Sequence, residues 1–308
     1  MRRCSSLLAA YGFIGLGQMG GRMAPNMFKN ADCTDLYVYD TSADAANVVV
    51  KSATGQKVHV CTSPAEVVAK CKTIITMLPN GHIVRDVYGG FWDKVQKGTL
   101  FIDSSTVDPQ TPKDLAQEAQ KRGARFVDAP VSGGVNAAAA GTLTFMVGGD
   151  DAVVADARKV LEHLGKNIVQ CGGTGAGQVV KLCNNMILAQ HMVAVSEAML
   201  MGTRLGVDAK TLASVVNTST GRCWSSELYN PYPGVLPNVP ASNEYRGGFG
   251  AALMLKDVKL AIDAAESVKL EVRGATNARD VYQAMCDNKN GGLDFSGVLK
   301  HIDGKSKQ

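Results

Sequence analysis

The stretch YGFIGLGQMGGRM, residues 11–23, begins as a short apolar run and then sets Gly15, Gly17 and Gly20 in the spacing G-x-G-x-x-G at the head of a helical pattern. Where a strand feeds a glycine turn and then a helix, each glycine has a mechanical task. The first makes the tight turn, the second lets the backbone approach a pyrophosphate, and the third lets helix and strand pack closely. The helix start adds N–H groups and a positive dipole end for that phosphate, with Leu16, Gln18 and Met19 completing the loop. Twenty residues past Gly20 the next apolar run, LYVYD, ends in Asp40, placed to accept from both ribose hydroxyls of a dinucleotide. The ten residues after it, TSADAANVVV, hold no arginine or lysine to neutralise a 2′-phosphate, so the expected cofactor is NAD rather than NADP. Pro25 conflicts with a regular helix starting near Gln18, because proline in a helix interior costs about 3 kcal/mol.

Outward from this loop, short β-branched runs alternate with helical segments up to about residue 172. The runs are YGFI (11–14), LYVYD (36–40), VHVC (58–61), TIITML (73–78), TLFID (99–103), RFVDAPV (125–131), TFMVGG (144–149) and NIVQC (167–171), the pattern of a parallel α/β sheet. Ser63-Pro64-Ala65-Glu66 reads as a capping box with proline at the first helical position, and Thr111-Pro112-Lys113-Asp114 repeats it. Past Gly177 the strands stop. A segment of roughly 25 residues is apolar on nearly all faces and reads as a buried helix, the spine of a second domain. Asp208 caps AKTLASVVN, and a loop rich in Pro, Gly and Asn precedes the helix AALMLKDVKLAIDAAESV. The expected fold class is α/β: an N-terminal Rossmann-type dinucleotide-binding domain over 11–173, then an all-helical domain over 174–308, joined by a long interdomain helix.

At 308 residues, 45% apolar, 19% charged and net +4, the chain has the balance of a globular protein, with no basic run that points to nucleic acid. Its eight cysteines form no C-x-x-C pair and no structural zinc spacing, so free thiols in a reducing compartment are expected. No run of eighteen apolar residues suggests a membrane span. The opening MRRCSSLLAA has two arginines, two serines and no acid, which reads either as a short mitochondrial transit peptide or as a disordered leader on a cytoplasmic protein.

Oxidising an alcohol with a dinucleotide requires a group that takes the hydroxyl proton. A Tyr-x-x-x-Lys pair is absent, and the cysteines and five histidines do not cluster for zinc, so no metal is expected. His163 and His191 lie in helical patterns, and His59, His82 and His301 have no partner legible in the sequence. Lys181 stands out in GQVVKLCNNM (177–186), a charge among apolar residues with Gln178 at i−3 and Asn185 at i+4 on one face. A lone lysine there would ordinarily snorkel from the helix edge. With polar neighbours, at the start of the second domain, it reads instead as a general base made available by burial, which lowers a lysine pKa, and Asn185 as its partner.

At these residues the chain also resembles a family. FIGLGQMG, DAPVSGG (128–134), GTLTFMVGG (141–149), GAGQVVKLCNN (175–185) and GGFGAALMLKD (247–257) look, in order and spacing, like the β-hydroxyacid dehydrogenases. SSTVDP (104–109) and GRCWSSELYNPYPGV (221–235) are similar to that family's 3-hydroxyisobutyrate branch. The resemblance runs nearly the whole chain from residue 11. It implies that Lys181 is the catalytic acid/base with Asn185 assisting, that Ser132, Gly133 and Gly134 hold the substrate carboxylate, and that Trp224 walls the substrate pocket. It implies too that Leu78, Pro79, Thr106, Phe249 and Lys256 join the glycine loop and Asp40 around the cofactor. Ile83 stands where that branch carries an asparagine. The implied reaction is NAD-dependent oxidation of 3-hydroxyisobutyrate to methylmalonate semialdehyde in valine breakdown, by a homodimer or homotetramer whose only other partner is its small β-hydroxy acid. The competing readings are a tartronate or succinate semialdehyde reductase and a non-catalytic nucleotide-binding protein on the same fold.

Overall fold

A computed structural model of the chain describes residues 9–29, 33–53 and 57–305; the expected leader, apart from its last two residues, lies outside them. The chain divides into two compact units between Lys181 and Leu182.

In the first unit the parallel strands β1 (Ala9–Ile14), β2 (Cys33–Tyr39), β3 (Lys57–Val60), β4 (Thr73–Thr76), β5 (Leu100–Asp103) and β6 (Arg125–Asp128) run in the order β3-β2-β1-β4-β5-β6. The order reverses between β1 and β4, and in such sheets ligands bind in the crevice beyond the strand ends at that reversal. The eight apolar runs of the sequence all become strands. They do not all run parallel: RFVDAPV breaks into β6 and the two-residue β7 (Val131–Ser132), and both pair antiparallel with β8 (Leu143–Gly148). β8 then pairs in parallel with β9 (Gly165–Gly172). Strand direction depends on how each connection returns, which hydrophobic alternation does not encode.

The sheet is covered by α1 (Gly20–Met23), α2 (Ala43–Ser52), α3 (Pro64–Lys70), α4 (Gly81–Gly89), α5 (Gln110–Lys121), α6 (Gly134–Ala140) and α7 (Asp151–Leu161). Phe13, Leu36, Val38, Ile75, Ile102, Val127, Phe145 and Val147 form a core on one face, and Val67, Ile74, Tyr88, Phe91, Phe101 and Phe126 one on the other. Pro25 finds its place through a change of winding. The α-helix ends at Met23 and a 3₁₀ segment, Ala24–Lys29, begins beside the proline, so no long α-helical ladder needs its missing N–H. Ser63 caps α3 as expected (Glu66 N to Ser63 Oγ, 3.2 Å), but Glu66 Oε2 reaches back to Thr62 N at 2.8 Å rather than to Ser63. Thr111 is not a cap: α5 already starts at Gln110, and Asp108 Oδ1 accepts from Gln110 N and Thr111 N.

A 29-residue helix, α8 (Ala176–Arg204), runs from the first unit into the second. The second unit continues with α9 (Ala209–Asn217), α10 (Trp224–Glu227), α11 (Ala251–Ser267), α12 (Arg273–Met285) and α13 (Val298–Lys305). Its core joins Ala189, Met192 and Val193 of α8 to Met254 and Val258 of α11, Tyr282 and Met285 of α12, and Phe295. The expectation of a helix buried all round is corrected. Val179, Val180, Ile187 and Met201 (63% exposed) form an uncovered apolar side. Apolar character alone does not distinguish a buried face from an exposed one.

Candidate active site

The glycine loop leaves β1 at the sheet reversal, pinned by hydrogen bonds from Gly15 N to Tyr39 O and from Met77 N to Ile14 O, both 2.9 Å. Gly15 sits at φ +93°, where a side chain would strain the backbone and strike Met77 O. At Gly20 a Cβ would run into Gly15 O, whereas at Gly17 it would meet nothing within 4 Å. The packing glycines are thus Gly15 and Gly20, and Gly17 faces open space of the kind a phosphate needs. Leu16 is buried, Met19 half-buried and Gln18 exposed, its Oε1 and main-chain oxygen both accepting from Arg22. Asp40 follows β2 and fastens the loop: Oδ2 accepts from Leu16 N at 2.6 Å and Oδ1 from Ser42 N at 2.7 Å. A carboxylate offers about four lone-pair sites, so acceptor capacity remains for ribose hydroxyls. This cradle fits a dinucleotide.

Leu78, half-buried, and Pro79, exposed, follow β4; Thr106, half-buried, follows β5. A buried polar chain ties these two loops together. Asp103 Oδ1 accepts from Thr76 Oγ1 (2.7 Å) and Ser105 Oγ (2.6 Å), and Ser105 Oγ in turn accepts from Leu78 N (2.8 Å). Gln178 clamps the second loop to α8, with Nε2 donating to Ser105 O (2.8 Å) and Oε1 accepting from Val107 N (3.1 Å). It therefore serves as a fastener, not as the third polar member of a reactive face. Ile83 lies in the first turn of α4, where its N–H donates to the cap Asn80 Oδ1 at 3.0 Å.

Ser132 ends β7, and Gly133 and Gly134, both exposed and at positive φ, turn the chain into α6. The first N–H groups of that helix lack intrahelical acceptors and are the type of donor a carboxylate takes. Lys181 lies in α8, 8% exposed, with Asn185 one turn further along the same helix and also buried. The side chain is therefore buried and does not snorkel into solvent from the helix edge.

Asp128, at the end of β6, is fully buried and accepts from Gly175 N (2.7 Å) and Gln178 N (3.1 Å). Burial pushes its carboxyl up from 3.8 to about 6 against those two bonds, with Asp103 adding repulsion. The folded chain therefore holds this proton more tightly than the unfolded one. The stability it contributes is full below pH 4 and lost as the pH rises through 6. Two units correspond to about 3 kcal/mol, so in urea unfolding the wild type is expected to lose about that much relative to Asp128→Asn between pH 4 and 7. A difference that stays flat over that range would rule the raised carboxyl out.

In the second unit Asn185 Nδ2 donates to Asp257 Oδ2 at 2.6 Å, and Lys256 Nζ pairs with Asp257 Oδ1 at 3.2 Å. Asp257 is buried and Lys256 half-buried, so both residues expected from the sequence converge on one carboxylate of α11. Trp224, 46% exposed at the head of α10, stacks on Tyr229 (centroids 4.7 Å), and Tyr229 on Phe295 (5.6 Å), whose ring meets Phe249 edge-on at 6.0 Å. Trp224 and Phe249 thus belong to one aromatic row. The row is anchored by buried Asp294, which accepts from Tyr229 Oη (3.0 Å) and Phe249 N (2.7 Å).

Residues 10–173 match the family profile described as the NAD binding domain of 6-phosphogluconate dehydrogenase, and residues 175–302 the one described as NAD-binding of NADP-dependent 3-hydroxyisobutyrate dehydrogenase. The mitochondrial 3-hydroxyisobutyrate dehydrogenase of Mus musculus is 48% identical over 305 residues, spanning 97% of this chain and 89% of the relative. The chain belongs to the 3-hydroxyisobutyrate dehydrogenase family. The Homo sapiens mitochondrial member is 47% identical over the same shares. The solved 3-hydroxyisobutyrate dehydrogenase of Mycobacterium tuberculosis, with L-serine, superposes at a TM-score of 0.88 with 39% identity, covering 96% of this chain and 99% of that one.

What sequence reading of this dehydrogenase missed are its buried acids: Asp103, Asp128, Asp257 and Asp294. Each interrupts or ends an apolar run, which is where a carboxylate leaves water only if backbone or side-chain donors meet it. That pattern was the available signal. Among the described residues no group of three His, Cys, Asp or Glu is placed to hold a metal, and no helix is long and apolar enough to cross a membrane.

Proposed function

We propose that this dehydrogenase oxidises the primary alcohol of 3-hydroxyisobutyrate to the semialdehyde with NAD, with Lys181 as general acid/base. The observation that carries the reading is Lys181 itself, buried on α8 one turn from Asn185. Bound NAD supplies the hydride acceptor. Lys181 takes the hydroxyl proton. Asn185, held by Asp257 at Nδ2 and by Asn184 Nδ2 at Oδ1 (3.1 Å), assists from one turn away. The turn at Ser132, Gly133 and Gly134 holds the carboxylate, Trp224 walls the substrate's apolar side, and Leu78, Pro79, Thr106, Phe249 and Lys256 complete the cofactor's surroundings.

NAD is preferred over NADP because Asp40, with Asp44 four residues on and no cation between, would repel a 2′-phosphate. The NADP in one matched profile's description makes this the point to measure. The deciding assay is steady-state NADH formation at pH 8 to 9 from 3-hydroxyisobutyrate, L-serine, 3-hydroxypropionate and 4-hydroxybutyrate, with NADP in parallel. Preference for 3-hydroxyisobutyrate with NAD is expected. Asp40→Ser should cut kcat/KM for NAD by roughly 10- to 100-fold, the worth of a charge-assisted hydrogen bond, and that for NADP by less, because it loosens the loop both cofactors use but also removes the charge that repels a 2′-phosphate. Activity with NADP alone would reject the role of Asp40, and no activity at all would leave a nucleotide-binding protein.

We further propose mitochondrial residence, supported by the curated relatives, and self-association as a dimer or tetramer, supported by the uncovered apolar side of α8.

A further inference from the structure

We propose that Asp128 is a positioning residue that sets the register between the turn at Ser132 and the base Lys181. The inference rests on the reading of those two residues given above. Asp128 closes β6 four residues before Ser132, and its oxygens take Gly175 N and Gln178 N at the start of α8, whose sixth residue is Lys181. One carboxylate thereby ties the peptide leading into the substrate-carboxylate turn to the first turn of the helix that carries the amine. Gln178 fastens the same helical turn to the loop bearing Thr106, so the helix start is fixed from two directions.

Two features show that this is a matter of placement and not of ordinary helix capping. α9 is capped by an exposed aspartate directly before it, Asp208, whose Oδ1 accepts from Thr211 N at 2.8 Å. The acceptor for α8 comes instead from 47 positions earlier in the chain, fully buried. Gly148 leaves room for it: a Cβ there would come within 2.5 Å of Asp128 Oδ1, while one on Gly177 would strike Met146 O first and Oδ2 at 2.7 Å. The titratable groups facing Asp128 are Asp103 of β5 and Cys171 of β9, and Lys113 of α5 flanks Gly175; none of them takes over its two bonds.

The test compares wild type with Asp128→Asn, which keeps the shape but turns one acceptor into a donor, and Asp128→Glu, which keeps the charge but moves the oxygens toward Gly148. Both are expected to lower kcat for 3-hydroxyisobutyrate at pH 8 by 10- to 100-fold, the scale of an ångström-size misplacement of reacting groups. NADH affinity should stay within twofold, and amide exchange at Gly175 and Gln178 should rise at least tenfold. Asp128→Asn should be no less stable than wild type at pH 8, so that its fall in kcat is not a loss of folded protein. A folded Asp128→Asn enzyme with kcat within threefold of wild type, a loss of NADH affinity in step with kcat, or unchanged exchange at both amides would each overturn the proposal. Wild-type inactivity toward every β-hydroxy acid would reject the dehydrogenase reading and with it the catalytic half of this one, while exchange would still report whether Asp128 holds the helix.

Discussion

Replacing Lys181 with alanine is expected to lower kcat for 3-hydroxyisobutyrate oxidation by roughly 10²- to 10⁴-fold, the range for removal of a positioned general base. Dinucleotide affinity should be nearly unchanged, because Lys181 lies on α8 and the phosphate cradle is the loop of Gly15, Gly17 and Gly20. Steady-state rates combined with NADH fluorescence titration separate the two effects. Lys181→Arg should not restore turnover, since a guanidinium keeps the positive charge but does not give up its proton. Turnover within tenfold of wild type in the alanine variant would take the proton-transfer role away from Lys181.

The second large effect distinguishes two glycines of one motif. In Gly20→Ala the new methyl meets the Gly15 carbonyl, and no rotamer relieves it because both partners are backbone. A stability loss of about 3 kcal/mol in urea unfolding is expected, the upper range for overpacking. Gly17→Ala meets nothing within 4 Å. Its stability should stay within about 0.5 kcal/mol of wild type. Its affinity for NADH should fall roughly 10- to 100-fold, as a methyl occupies the path by which phosphate oxygens reach the loop's N–H groups. If Gly17→Ala bound NADH normally, or if both variants were destabilised alike, the division of labour within the loop would be wrong.

The glycine loop, Asp40 and the strand succession were legible because each rests on local chemistry: a turn that needs no side chain, an acid at a strand end, β-branched runs between helix signals. Lys181 and Asn185 were legible as polar residues at helical spacing in an apolar stretch. What escaped depended on partners distant in sequence. Gln178 has the same spacing as Lys181, yet its amide is committed to Ser105 and Val107, which no periodicity reveals. The antiparallel return of β8 against β6 and β7 follows from the path of the chain. The hydrogen bonds that hold the first turn of α8 to Asp128, Ser105 and Val107 likewise join residues far apart in the chain. Pro25 could be flagged from sequence, but the 3₁₀ winding that accommodates it could not.

Asp257 gives Asn185 and Lys256 a common anchor. One of these is read as serving the substrate and the other the cofactor, so selection for a new dinucleotide at Lys256 also alters the carboxylate that orients Asn185. On the proposed roles, mutational routes toward new cofactors and routes toward new acids are expected to be epistatic through a single buried side chain. A library that varies only the residues touching the ligands would pass over the position at which the two choices meet.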